Sequence, residues 1–130
     1  MSNIPKVSKD FCATFSTQID LHEKLHYLAT LSSGLVTVAA TQYGKTIGVI
    51  DEEVYATSTT EKTVRIQIGG IARIKTGGII AALAYVVSNG DGTIVTDAGA
   101  DEFVVGIALE SAASGDIISV KLVLAPTTTA

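Results

Sequence analysis

The sequence predicts a small, mainly β protein with one short helix and an extended N-terminal arm. Hydrophobic residues make up 47% of the 130 residues, whereas aromatic residues make up only 5%. The apolar material is therefore mostly Val, Ile, Leu and Ala, with many Thr beside them. Such β-branched side chains favour strands, because the branched Cβ packs well on a pleated surface. Twelve Gly and two Pro indicate frequent tight turns.

Three regions follow from the pattern along the chain: an arm over residues 1–18, a β-rich domain over 19–125 and a polar tail over 126–130. The arm has no sustained period, and its apolar residues stand among Ser, Lys and Thr: Ile4, Val7, Phe11 and Phe15. Chain ends often fray. Two exposed Phe are costly, however, so we expect these four residues to contact a neighbouring subunit.

The segment from Asp20 to Gly34 is the best helix candidate. Asp20 can cap a helix, Glu23 completes a capping box, and Gly34 stands where a C-cap glycine would. Leucines recur there at helical spacing. Alternate residues from Leu25 to Leu31 are also apolar, however, so one helical turn followed by a strand is equally compatible with the pattern.

Beyond Gly34 the pattern indicates strands throughout. Clean alternation marks Val64–Ile68 and Ile71–Lys75, which Gly69-Gly70 separates. The Asn89-Gly90-Asp91-Gly92 sequence predicts a hairpin turn, because Asn and Gly accept positive φ. The last two strands are expected at Phe103–Leu109 and Ile117–Leu124. Short strands in this order favour a small β-barrel or sandwich over βαβ units.

An internal repeat supports this architecture. A strand around Gly48 leads, after a polar loop, to the alternating strand at residues 63–68. A similar strand around Gly106 leads, after a Gly-Asp turn, to the alternating strand at residues 119–124. Each pair has a glycine inside its first strand and one basic residue facing outward in its second. We therefore expect a duplicated β unit.

Charge and composition limit the partners. The net charge is −4, and six acidic residues between Lys75 and Lys121 have no basic residue among them, which disfavours a nucleic acid partner. The single Cys12 excludes an intramolecular disulfide. No secretory signal is visible, and the longest apolar run, Ile79–Val87, is about half a membrane span. We expect synthesis in a cytoplasm and no membrane partner.

One motif carries a possible chemistry: His22-Glu23-Lys24-Leu25-His26 matches the H-E-x-x-H pattern of zinc peptidases. On a helix both histidines would share a face, and Glu23 would activate a metal-bound water. Zinc would need a third protein ligand. A downstream carboxylate such as Glu52 or Glu53 could supply it, but the spacing points to neither. Because Asp20 and Glu23 also suit a simple capping turn, we expect no catalytic residue, metal or cofactor. The zinc peptidase remains the alternative.

Other motifs have simpler explanations. Asn89–Gly92 lacks the further acids of a calcium loop, and the paired glycines lack the Lys-Ser/Thr of a phosphate loop. Arg65, Arg73 and Lys75 project from the outward face of two consecutive β segments. They are either an ordinary solvated face or an electropositive strip that meets acidic groups on a partner.

At several of these places the sequence resembles a family of phage capsid decoration, or cement, proteins with a β-tulip-like fold. The matching segments are Asp20-Leu21, Ile47-Gly48-Val49, residues 64–74, residues 76–80, residues 89–94 and residues 105–116. Their order covers about residues 20–124. The family pattern departs at Ala81-Ala82-Leu83-Ala84, where Gly-Asp is usual, and an apolar surface there could serve subunit contact.

The resemblance implies a non-enzymatic virion protein. Members similar to this chain lie on the capsid exterior, commonly as homotrimers, and stabilise the shell through the major capsid protein. The expected contact residues are Ile4, Val7, Phe11, Phe15, Arg65, Arg73 and Lys75. A β domain that binds a glycan or a host protein is a further alternative. The chain has no Trp and four Tyr, so it offers few aromatic side chains on which a sugar could stack.

Overall fold

The structure is a computed structural model that describes residues 11–97 and 103–126. Within these ranges the chain forms ten strands and no helix, and so none that could cross a membrane. The strands are β1 (Cys12–Thr17), β2 (Leu28–Ser32), β3 (Leu35–Val38), β4 (Gly48–Ile50), β5 (Lys62–Gln67), β6 (Ile71–Lys75), β7 (Tyr85–Ser88), β8 (Ile94–Thr96), β9 (Phe103–Ala108) and β10 (Ile117–Pro126). The predicted class, a small mainly β domain, is confirmed.

The strands form two antiparallel five-stranded sheets with the same topology. The first sheet has the order β1-β5-β4-β2-β3, and the second has the order β6-β10-β9-β7-β8. When the strands of each sheet are counted from its own first strand, both orders read 1-5-4-2-3. The chain is therefore a tandem repeat of one fold, with a first unit of β1–β5 and a second unit of β6–β10.

Equivalent residues of the two units make equivalent contacts. A Cβ added to Gly48 would lie 2.2 Å from the Gln67 carbonyl oxygen, and one added to Gly106 would lie 2.2 Å from the Lys121 carbonyl oxygen. In both units the neighbouring strand passes so close to this glycine that there is no space for a Cβ atom. The repeat expected from the sequence thus has a structural basis.

A second matched contact fixes the loop after each of these strands. The Glu52 carboxylate accepts a hydrogen bond from the backbone amide of Arg65 at 2.7 Å. The Glu110 carboxylate accepts one from the backbone amide of Ser119 at 2.9 Å. A glutamate therefore ends the β4 segment and the β9 segment in the same way.

Each sheet is so strongly curved that its first and third strands contact each other. In the first unit the Thr17 hydroxyl, fully buried, donates to the Val36 carbonyl oxygen at 2.8 Å. In the second unit Thr76 forms a bridge with Ile94, and the Gly77 amide donates to the Ile94 carbonyl oxygen at 2.8 Å. Both units are thus small, curled, barrel-like sheets.

Apolar side chains fill each unit and join the two. The first cluster lies inside the first unit and comprises Leu21, Ala29, Val36, Ile50, Val64 and Ile66. The larger cluster lies inside the second unit but also takes in Leu28, Ala39 and Val49 from the first. Because residues of the first unit complete the core of the second, the described residues pack as one domain.

The predicted helix at residues 20–34 is wrong. The capping bond exists, since the Asp20 carboxylate accepts from the His22 amide at 3.0 Å, but turns follow it. Glu23 and His26 have φ of 67° and 75°, which no right-handed helix contains. From Leu28 the chain instead pairs with β4, so the strand alternative describes residues 28–32.

Gly34 ends no helix but forms a hairpin turn between β2 and β3. Ser33 and Gly34 have φ of 53° and 80°. Positive φ at both central residues is the geometry that matches the twist of paired strands. The apolar alternation on either side of this turn therefore belongs to two antiparallel strands.

The part of the predicted arm that the structure describes is a strand. β1 pairs with β5 from Cys12 to Thr17, so the boundary expected at residues 18 and 19 falls after an integral strand. The Phe11 carbonyl oxygen accepts from the Ile68 amide at 2.6 Å. Phe15 is half-buried against the first cluster. Ile4 and Val7, and tail residues 127–130, lie outside the described residues.

Candidate interaction surfaces

A row of four cross-strand neighbours lies on the outer side of the first sheet. Leu28 pairs with Val49, Val49 with Gln67, and Gln67 with Cys12. Leu28, Val49 and Gln67 are only 0%, 2% and 7% exposed. Leu28 and Val49 pack against the second unit, and the Gln67 amide donates to the Gly69 and Ile71 carbonyl oxygens between the units. The second unit therefore covers this face.

The equivalent row of the second sheet is open. Tyr85 pairs with Ile107, Ile107 with Lys121, and Lys121 with Ile71. Tyr85 is 53% exposed and Ile71 58%, Lys121 is exposed, and Ile107 is half-buried. We call these four residues, with the adjacent Leu83, the open face. Its apolar content is typical of an interaction surface.

Leu83 stands at the same backbone turn as His26 in the first unit. Their φ values are 71° and 75°, and their amides donate to the Ala108 and Ile50 carbonyl oxygens, respectively. The His26 carbonyl oxygen accepts from the Lys75 amide at 3.0 Å, so β6 covers that turn. Leu83 is 75% exposed. The apolar segment around Leu83, predicted for subunit contact, is thus on the surface.

The three basic residues, for which the sequence left open a solvated face or an electropositive strip, lie on two sheets. Arg65 is on β5. Its Nε donates to the Asp51 carboxylate at 2.8 Å, and this hydrogen bond raises the pKa of Arg65. Arg73 is on β6 and pairs with Glu110 at 3.3 Å. Both arginines thus meet acids of the chain itself. Lys75, also on β6, lies with its Nζ 5.6 Å from the Tyr27 ring centroid.

The Asp51 carboxylate also contacts the single thiol. Cys12 Sγ donates to it at 3.7 Å. Burial, and then the negative charge of Asp51, raise the pKa of the Cys12 thiol. A raised pKa keeps the thiol protonated at neutral pH, which lowers its nucleophilicity.

The histidines of the H-E-x-x-H motif do not converge. His22 stacks on Tyr55 with ring centroids 4.8 Å apart and contacts the Glu23 carboxylate at 3.2 Å. His26 Nδ1 donates instead to the Arg73 carbonyl oxygen at 3.1 Å. Within residues 11–97 and 103–126, no three His, Cys, Asp or Glu side chains are grouped so that they could hold a metal ion. The helix that the zinc motif requires is also missing there.

The Asn89–Gly92 segment forms the predicted hairpin turn between β7 and β8. Its Asp91 carboxylate accepts from both the amide and the hydroxyl of Thr93. The hydroxyl bond is the main reason that the pKa of Asp91 is lowered. Gly90 and Gly92 have φ of 100° and 87°. The acid therefore has a structural role inside the turn.

The fold resembles that of a phage head protein. The solved N base of head fiber gp8.5 of bacteriophage phi29 superposes with a TM-score of 0.67 and 15% sequence identity. The match covers 91% of this chain and 99% of that one. At this identity the comparison shows a shared fold. It agrees with the sequence resemblance to decoration proteins, since this neighbour is also a protein of the phage head.

No family model matches the sequence, and no curated protein matches it. The open face itself was not predicted, because it depends on which strands are neighbours. One signal for it was present: the apolar run at residues 81–84 departs from the pattern of decoration proteins. Tyr85 directly follows that run.

Proposed function

We propose that the chain is a non-enzymatic structural protein of a phage virion, which binds the capsid exterior and stabilises the assembled shell. The observation that carries this proposal is the fold shared with the phi29 head fiber base over nearly the whole chain. The divergent contacts of His22 and His26 add support, because they leave the one catalytic motif without its geometry.

The mechanism is stabilisation by mass action. A protein that binds only the assembled, expanded shell lowers the free energy of that state by RT ln(1 + [L]/Kd). The partner is the major capsid protein, and a homotrimer would bind through three contacts at once. Such multivalent binding slows release even where each contact is weak.

Two sets of residues are the proposed capsid contacts. The first is apolar and comprises Ile4, Val7, Phe11 and Phe15, of which Phe15 lies in β1 and Phe11 directly precedes it. The second is basic: Arg65, Arg73 and Lys75. The side chains of Arg65 and Arg73 are 48% and 54% exposed although each has an internal acid, so both can also contact a partner. A basic surface would meet acidic groups on the shell.

Co-sedimentation with expanded capsids of the phage that encodes the chain tests the proposal. Binding should saturate at a fixed number of copies per capsid, and bound capsids should release DNA at a higher temperature than bare ones. Absence of binding to intact capsids, with retained binding to a glycan or to a host protein, would contradict it.

Deletion of residues 2–10 removes two of the four apolar contacts, Ile4 and Val7, and leaves β1 in place. We expect weaker capsid binding and an unchanged circular dichroism spectrum. Lys75→Gln tests the basic contacts, with Lys62→Gln on β5 as the matched control. The Lys75 variant should bind more weakly and lose part of the salt dependence, whereas the control should bind like the parent.

A further inference from the structure

The junction between the two units has two sides, and the chain contains each side twice. The first side is the outer row of the first sheet, where Leu28 and Val49 are buried. The second side belongs to the second unit: the end of β6 and the turn between β7 and β8. Lys75 donates its amide to the His26 carbonyl oxygen at 3.0 Å, and the Gly92 carbonyl oxygen accepts from the Leu28 amide at 2.8 Å.

The second copy of the first side is the open face. Its residues occupy the same register positions as the buried row, but no part of the described chain covers them. Tyr85 stands where Leu28 is, and Ile107 stands where Val49 is. In the internal junction such a face is covered by a unit of this same fold. That unit contacts the face through the hairpin turn that follows its second strand.

The second copy of the other side is the hairpin turn between β2 and β3. By strand order it is the first unit's counterpart of the turn between β7 and β8, although two residues form it and five form the other. Residues 31–34 are all exposed. Leu31, at the end of β2 next to this turn, is 42% exposed although it is apolar. We call residues 31–34 the free turn. The chain therefore carries one complete junction, one open face on the second unit and one free turn on the first.

We propose that the open face of one copy binds the free turn of a second copy of this chain, which repeats the internal junction between molecules. Such a head-to-tail contact joins two different surfaces, so it is heterologous. Heterologous contacts close into rings, including rings of three, or continue into filaments. The inference deepens the proposed homotrimer by naming both surfaces that form it.

Sedimentation velocity of the full chain over a concentration series tests the contact. The parent should associate beyond the monomer. Tyr85→Lys, on the open face, and Leu31→Lys, in the free turn, should each weaken association by at least about tenfold, since a buried aromatic or aliphatic anchor is lost. Tyr55→Lys is the matched control, because Tyr55 is 65% exposed on the first unit outside both surfaces. It should associate like the parent.

Mixing the two variants distinguishes a heterologous contact from an isologous one. The Leu31 variant keeps its open face, and the Tyr85 variant keeps its free turn. Each alone should be monomeric, whereas an equimolar mixture should form a dimer and nothing larger. If the open face bound itself, the Leu31 variant alone would associate like the parent, and the proposal would be wrong.

A folding defect is separated by circular dichroism and by a second open-face variant, Ile71→Lys, which should act like the Tyr85 variant. A parent chain that stays monomeric at about 0.1 mM, or a mixture that stays monomeric, overturns the inference. Capsid binding is measured apart from self-association. A monomeric parent that still binds capsids would refute the head-to-tail contact alone, and an associating parent that binds none would refute the proposed function alone.

Discussion

Replacing Gly48 or Gly106 by Ala applies the same perturbation to the two units in turn. The added Cβ would lie 2.2 Å from a carbonyl oxygen of the neighbouring strand, Gln67 in one case and Lys121 in the other. Contacts of a Cβ below 3.0 Å essentially never occur, so the strands must separate by about 1 Å. Backbone cannot rotate away as a side chain can, and the cost is near the upper end of that for overpacking, about 3 kcal/mol.

For a chain of this length, 1 kcal/mol lowers the melting temperature by about 4 °C. Each substitution should therefore lower it by about 12 °C in a calorimetric scan. Gly78→Ala is the matched control, because its Cβ would meet only Val95 at 3.5 Å, an ordinary contact. That variant should melt within about 3 °C of the parent.

Because the first unit contributes Leu28 and Val49 to the core of the second, both variants should still melt in one transition. If the Gly48 variant had the same melting temperature as the Gly78 control, the close approach of the two strands would not contribute to stability, and the expected destabilisation would be refuted. Two separate transitions would show that the units fold independently.

Three further outcomes are expected. Leu28→Ala, at a fully buried site between the units, should cost about 3 kcal/mol in urea unfolding; a loss below about 1 kcal/mol would contradict the junction. Arg73→Gln should change stability by less than about 1 kcal/mol, because its pair with Glu110 is about half exposed. Asp91→Asn keeps an acceptor for the Thr93 amide but removes the charge. Since the folded pKa of Asp91 lies below its ordinary 3.8, its contribution is present above that pH and lost as the pH falls through the folded pKa. The stability of the parent should fall faster on acidification than that of the Asn variant, and parallel pH curves would refute the role of this carboxylate.

Much of the β architecture could be predicted from local pattern. Alternation gave β5 and β6 within two residues, and Asn89–Gly92 gave the hairpin between β7 and β8, because both depend on neighbours in sequence. The glycines at 48 and 106 revealed the repeat, since the same strand crossing demands glycine twice. The helix prediction failed where local and long-range terms compete: Asp20 does cap a turn, but pairing of Leu28 and Ala29 with β4 outweighs helical propensity.

The site was harder to predict for the same reason. Tyr85 and Leu28 look alike in sequence as apolar residues that open a strand, and only the strand order shows that they are equivalent. Tyr85 is 53% exposed and Leu28 is fully buried, because the second unit covers the face of the first, whereas no described residue covers the face of the second. Arg65 and Arg73 also looked like one strip along consecutive segments, whereas the chain changes sheets between them.

The shared core also bears on how the protein is made. A ribosome adds about 5–20 residues per second, and Val49 is synthesised about 70 residues before Val120, against whose cluster it packs. For roughly 4–14 s, the nascent first half therefore exposes Leu28 and Val49 to water, before the second unit that buries them has been made. Transiently exposed apolar surface is prone to aggregation, so this interval is the step of synthesis at which two growing chains can associate through the row that the second unit later covers.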